Sequence, residues 1–273
     1  MLTALAFGAF GLIVGSFLNV VVIRRGVRSV GGRSGCMACG AQLLWYDMIP
    51  VVSWVALRGK CRRCRAYISV QYPLVEAATA LTFGLIGGAP LFGIFYKALF
   101  CVIMAILIAI AAYDFRHTII PDSWAYTFGA LALVSAFVFP SHLAPSTWHL
   151  TLLAGPIAAA PLFLLWLVSR GRWMGLGDSK LALGIGWLLG PFIGIVAVFL
   201  AFVIGAVISV GILLPLPHII RALRTYGITS LDMLRGGLTM TSEIPFGPFL
   251  IASCVFVWFS LLYNIHIPFF PII

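Results

Sequence analysis

A chain of 273 residues that is 62% hydrophobic and 9% charged is not an ordinary soluble domain, in which charged residues run near ~25%. Its length accommodates one multi-helix membrane domain plus a small soluble insert. The net charge of +10 would suit nucleic acid, but the placement of the positive residues points to membrane topology instead.

The first apolar run, Leu2–Ile23, reads as a retained membrane helix. Its 22 residues exceed the apolar core of a secretory signal, and Arg24-Arg25 follow it rather than precede it. Residues 24–72 then break the apolar pattern. Seven further runs follow: about Leu74–Pro90, Phe92–Tyr113, about Trp124–Pro140, Trp148–Val168, Leu181–Leu189, Phe192–Leu214 and about Phe246–Ile265. Most reach the roughly 20 residues that a spanning helix needs. Leu181–Leu189 is the exception, so its helix is expected to begin near Gly177. With eight spans, alternate loops place all 14 Arg with Lys60 and Lys180 on one side, and Lys97 alone on the other. The positive-inside rule makes the Arg-rich side cytoplasmic and leaves both termini outside. The expected fold is therefore an all-α polytopic membrane protein of about eight transmembrane helices, carrying a small cytoplasmic module after the first helix. No nucleic-acid partner is implied.

The insert contains Cys36-Met37-Ala38-Cys39 and Cys61-Arg62-Arg63-Cys64, two C-x2-C knuckles. Four thiolates in such pairs match a tetrahedral Zn2+ site, and four sulfur ligands leave no open position, so the metal would be structural. Two disulfides are the competing reading, disfavoured in the reducing cytoplasm. An insert of about 50 residues builds little core of its own, which suits a metal staple. Cys101 and Cys254 lie inside apolar runs and read as small buried hydrophobes.

Only seven Asp and Glu occur in the chain, and two sit at span ends. Asp114 closes the run ending at Tyr113, and Asp178 follows Gly175-Leu176-Gly177. A carboxylate at mid-bilayer costs roughly 2.5–3.5 kcal/mol on insertion scales, so such residues mark function. The glycines permit close backbone approach or an unwound helix start, which puts Asp178 at a helix N-terminus. Two carboxylates held close cannot both ionise easily, so one keeps a proton while the other acts as base. Such a pair can activate water and protonate a departing amine, which is peptide hydrolysis. A proton- or ion-coupled transporter would use the same residues, although both carboxylates lie near one membrane face and no inverted repeat stands out. Pairing of Asp178 with Lys180 is a purely structural alternative. Asp122, after Pro121, reads as the N-cap of the next span or as a supporting residue of the site.

Taken in order, these residues resemble the type IV prepilin peptidases, the bifunctional leader peptidase/N-methyltransferases of the bacterial inner membrane and GxGD-type intramembrane aspartyl proteases. The resemblance runs from Gly15-Ser16-Phe17-Leu18-Asn19-Val20 through the two knuckles, which enclose Asp47-Met48-Ile49-Pro50 and Ser53-Trp54. It continues with Tyr72-Pro73-Leu74-Val75-Glu76, Ile120-Pro121-Asp122, Gly175–Asp178 and Pro245-Phe246-Gly247-Pro248-Phe249. Met37 stands where proline is common in the family, and Met48 where asparagine is common.

The resemblance implies cleavage of a short basic leader from type IV prepilins or pilin-like secretion subunits at the cytoplasmic face. Methylation of the new amine follows, with S-adenosylmethionine as donor. It makes Asp114 and Asp178 the catalytic pair and Cys36, Cys39, Cys61 and Cys64 the ligands of a module linked to methyl transfer. Gly175, Gly177, Asp122 and Glu76 are supporting, Glu76 as a candidate contact for the basic leader or a partner of Arg58 or Arg65. The domains it implies are a first helix (1–23), the cysteine module (24–72) and a transmembrane protease domain (73–273). Residues 24–72 contain no Gly-rich nucleotide loop.

Overall fold

The computed structural model describes residues 1–27, 29–89, 93–138, 148–213 and 245–265. The boundaries expected at Pro90, Phe92, Pro140 and Leu214 lie outside the described residues. The described chain is mostly helical: α1 (Leu2–Arg24), a 3₁₀ turn (Trp45–Met48), α2 (Val52–Ala56), α3 (Gln71–Gly88), α4 (Ile94–His117), α5 (Asp122–Val138), α6 (Trp148–Ser169), α7 (Leu176–Leu189), α8 (Pro191–Ile208) and α9 (Gly247–Leu262). One π-helical turn, Ser209–Leu213, extends α8. α7 begins at Leu176, close to the start near Gly177 expected from the short apolar run. Among the described residues, four helices are long and apolar enough to cross a membrane: Leu2–Arg24, Ile94–His117, Trp148–Ser169 and Pro191–Gly211. Large apolar side chains face outward along them, as Leu5, Phe10, Ile13 and Phe17 do on α1. In water such a surface would be a liability, whereas in lipid it is the solvated face.

The chain forms two compact units, Met1–Arg116 and His117–Ile273. In the first, α1 and α3 lie against each other along their length. Small residues make that approach possible. A Cβ on Gly11 would stand 2.7 Å from the Thr79 carbonyl oxygen, and one on Gly15 would stand 2.7 Å from the Glu76 Cα. Close contact through glycine is how helices associate where lipid removes the hydrophobic drive between them. Lys97, at the start of α4, donates from Nζ to the Gly87 carbonyl at 2.7 Å and so satisfies a carbonyl at the end of α3.

In the second unit α7 is the hub, packed against α5, α6 and α8 and in contact with α9. Its glycines again set the distances: Gly184 faces the Phe128 ring, and Gly186 presses on the Ala154 carbonyl oxygen. α6 carries Pro156 and Pro161 inside the helix. Pro156 has no N–H for the Leu152 carbonyl four residues earlier. Trp187 of α7 supplies the missing donor, Nε1 to the Leu152 oxygen at 3.0 Å. A backbone group freed inside a bilayer must find such a partner.

Candidate functional site

The thiol module is built from two copies of one turn. In the first, Cys36 N–H donates to the Ala41 carbonyl and Gly40 N–H to the Cys36 carbonyl, both at 2.9 Å. In the second, Cys61 N–H donates to the Ala66 carbonyl at 2.8 Å and Arg65 N–H to the Cys61 carbonyl at 2.9 Å. Each turn is closed by one antiparallel bridge, Gly35 to Gln42 and Lys60 to Tyr67. The fifth residue of each has positive φ, 68° at Gly40 and 59° at Arg65. The knuckles face each other with all four sulfurs within 4.8 Å of one another, and all four thiols are free. Cys36 and Cys64 Sγ are 3.8 Å apart. Sulfurs about 2.3 Å from a tetrahedral ion lie about 3.8 Å from each other, so the Cys36–Cys64 pair already has the spacing of metal ligands and the full set is close to it. The backbone N–H groups of Cys39 and Ala38 draw the Cys36 thiol down to about 6. The Ala66 N–H pulls Cys64 the same way, but burial and the three neighbouring sulfurs push it up to about 11.

The module is fastened to its surroundings by polar contacts. Asp47 of the 3₁₀ turn pairs with Arg62 of the second knuckle at 2.9 Å, and the guanidinium lies over the Tyr46 ring. Trp54 of α2 donates from Nε1 to the Ile68 carbonyl at 3.1 Å. Glu76, only 7% exposed on α3, accepts the Val51 N–H at 2.7 Å through Oε2. Its carboxylate is thereby directed to the module's backbone.

Asp114 is 4% exposed and lies on α4 one turn before the helix ends at His117. Asp178 falls in the first turn of α7, with Gly175 at the N-cap in an extended conformation. That position favours negative charge. Gly177 leaves little room for a larger residue: a Cβ there would sit 3.0 Å from the Cβ of Ile120, which packs against the start of α7. A Cβ on Gly175 would make only ordinary contacts, Asp178 Oδ2 at 3.7 Å the nearest, and its φ of −74° is ordinary. The capping role expected of Asp122 falls to Pro121, whose carbonyl accepts from Trp124 and Ala125, both at 3.0 Å. Asp122 is the first residue of α5, and its Oδ1 accepts from Lys180 Nζ at 2.7 Å. The Lys180 ammonium also lies 5.3 Å from the centre of the Tyr126 ring. The Asp122–Lys180 pair escaped sequence reasoning because 58 residues separate its members.

Architecture and side chains thus define a multi-pass helical membrane protein with a tetrathiol module and carboxylates at helix ends. Two family models match in succession: the bacterial peptidase A24 N-terminal domain over residues 9–88 and the type IV leader peptidase family over residues 101–210. The prepilin leader peptidase/N-methyltransferase of Stutzerimonas stutzeri is 30% identical over 93% of this chain and 88% of its own length. That of Burkholderia pseudomallei strain 1026b is 31% identical over 91% and 83%. The Myxococcus xanthus protein of the same name is 37% identical over 66% of this chain, an alignment that spans 54% of the relative. No solved structure gives a significant match. The chain belongs to the type IV leader peptidase family. The transporter alternative loses its support, because the matches that cover the carboxylates are all to peptidases.

Proposed function

We propose that the chain cleaves the leader from type IV prepilins or pilin-like secretion subunits with Asp114 and Asp178, and then methylates the new N-terminal amine. The observation that carries this reading is the leader peptidase match over residues 101–210, an interval that includes both aspartates. The nucleophile in this reading is a water molecule, activated by the two carboxylates acting as base and acid. One takes its proton as the oxygen attacks the scissile carbonyl, and the other protonates the leaving amine, so a covalent intermediate is not needed. Ile120, Gly177 and the Asp122–Lys180 pair support the geometry around Asp178. Lys180 is engaged by the Asp122 carboxylate.

Zn2+ is the metal that four thiolates at this spacing select, and it acts by holding the module's two halves together. The donor for methylation is S-adenosylmethionine. Asp47 is the lone acidic residue between residues 24 and 72, and Arg62 engages it. The module therefore does not offer a free carboxylate to grip the donor, and none of its residues is assigned to that task. The domain reading is a first helix to residue 23, the module at 24–72 and the protease from 73 onward. In this reading the chain crosses the inner membrane eight times, with the module and both aspartates at the cytoplasmic face and the termini outside. The apolar stalk of a prepilin lies in the bilayer while its leader stays at that face.

Asp114→Asn and Asp178→Asn are each expected to lower leader removal by about 10²–10⁴-fold. Gel analysis of a prepilin incubated with detergent-solubilised enzyme measures this, with one metal retained per chain. Comparable processing by either variant would refute the assignment.

A further inference from the structure

Where the thiol module joins the α1–α3 helix pair, the backbone takes an unusual path. Val51 has φ 61° and ψ −51°, and Val52 N–H reaches back to the Pro50 carbonyl at 2.6 Å. This is the rare, strained form of the γ-turn, and a β-branched residue is poorly suited to positive φ. The N–H at its centre is the one held by Glu76. Glu76 sits where α3 lies tight against α1, since a Cβ on Gly15 would stand 2.7 Å from its Cα. The Glu76 carboxylate is thus inside the helix pair, and its partner is a turn of the module.

From that turn the chain runs straight into α2. Trp54 on α2 binds the Ile68 carbonyl and lies against Gly59, where a Cβ would come within 2.9 Å of the indole. Gly59 and Lys60 lead directly into Cys61. One line of contacts therefore joins α3 to the second knuckle. Strained backbone persists only where its surroundings over-determine it, and such sites cluster where geometry serves function. A buried acid is also an expensive group with which to fasten a loop unless the position matters.

We propose that Glu76 is a positioning residue for amine methylation: its carboxylate holds the strained Val51 turn, and with it α2 and the second thiol knuckle, at a fixed place on the α1–α3 pair. The proposal rests on the reading that the module serves methyl transfer.

The test uses full-length enzyme and a prepilin, with leader removal and methyl incorporation measured separately and metal counted per chain. In Glu76→Ala the kcat of methylation is expected to fall about tenfold or more, and further than leader removal falls, with the metal retained. Glu76→Gln keeps a side-chain oxygen for the Val51 N–H and is expected to keep most of the activity. Val51→Gly added to Glu76→Ala is expected to recover much of the loss, because glycine takes the turn without a Cβ penalty. Unchanged methylation in Glu76→Ala overturns the proposal, as does an equal loss in Glu76→Gln or no recovery with Val51→Gly. Cys61→Ser/Cys64→Ser separates the two layers. If methylation survives loss of the metal, the role given to the module is wrong. If it is abolished there but untouched in Glu76→Ala, the role given to Glu76 is wrong.

Discussion

The thiol module and the helix cluster around α7 reach stability by opposite routes. The module has little interior, and Cys61 is the only large or sulfur-bearing side chain buried in the described part of residues 25–70. Its order comes from backbone turns, two bridges and a few polar contacts that converge on four sulfurs. The α7 cluster buries Leu181, Ile185, Leu188 and Leu189 and is shaped by glycines that bring helix backbones together. A perturbation that destroys one region should therefore leave the other nearly untouched.

Metal removal is the largest test of that difference. Binding of a structural Zn2+ contributes on the order of 10–16 kcal/mol in small thiolate domains, so stripping it should unfold the module outright. Chelation is expected to expose residues 34–67 to protease and hydrogen exchange while amides of α7 keep their protection. Melting of both regions together would show that the module and the cluster share one cooperative unit.

The contrast also explains what was legible in the sequence. Both knuckles could be read from spacing, because their ligands are three residues apart and each turn is local. The runs at Leu2–Ile23, Trp148–Val168 and Leu181–Leu189 located α1, α6 and α7, since apolar composition is what lipid selects. The positions of Asp114 and Asp178 at helix ends were equally visible. Contacts fixed by packing were not. The Val51 turn, the grip of Glu76 on it, and the Asp122–Lys180 pair depend on which helix lies beside which. The helix begins at Asp122 itself, one residue earlier than the capping reading assumed, and the Asp122 carboxylate pairs with Lys180.

A smaller effect, confined to the α7 cluster, is expected of Trp187→Phe. It removes the donor that satisfies the Leu152 carbonyl opposite Pro156. Interhelical hydrogen bonds in membranes are worth about 0.6 kcal/mol on average, and an unsatisfied carbonyl raises the figure toward about 2. A lower thermal midpoint in detergent, with unchanged metal content, is the expected result. An unchanged midpoint would mean that another group takes over the Leu152 carbonyl.

The smallest effect belongs to the two knuckles themselves, which place a glycine and an arginine at the same point of the same turn. Gly40 has φ 68° and open space around a Cβ, so Gly40→Ala meets only the conformational penalty. That penalty is roughly 1–2 kcal/mol for a residue held at left-handed φ, less what the stiffer unfolded chain returns. Arg65 already bears it at φ 59°. Arg65→Gly should thus be close to neutral, since strain relieved in the folded turn is offset by the greater freedom of glycine when unfolded. Competition with a calibrated chelator measures both. A weakening of metal affinity by about tenfold or less for Gly40→Ala, with almost none for Arg65→Gly, is the expected pattern. A larger loss at Arg65 would mean that its side chain, and not only its backbone, holds the second knuckle together.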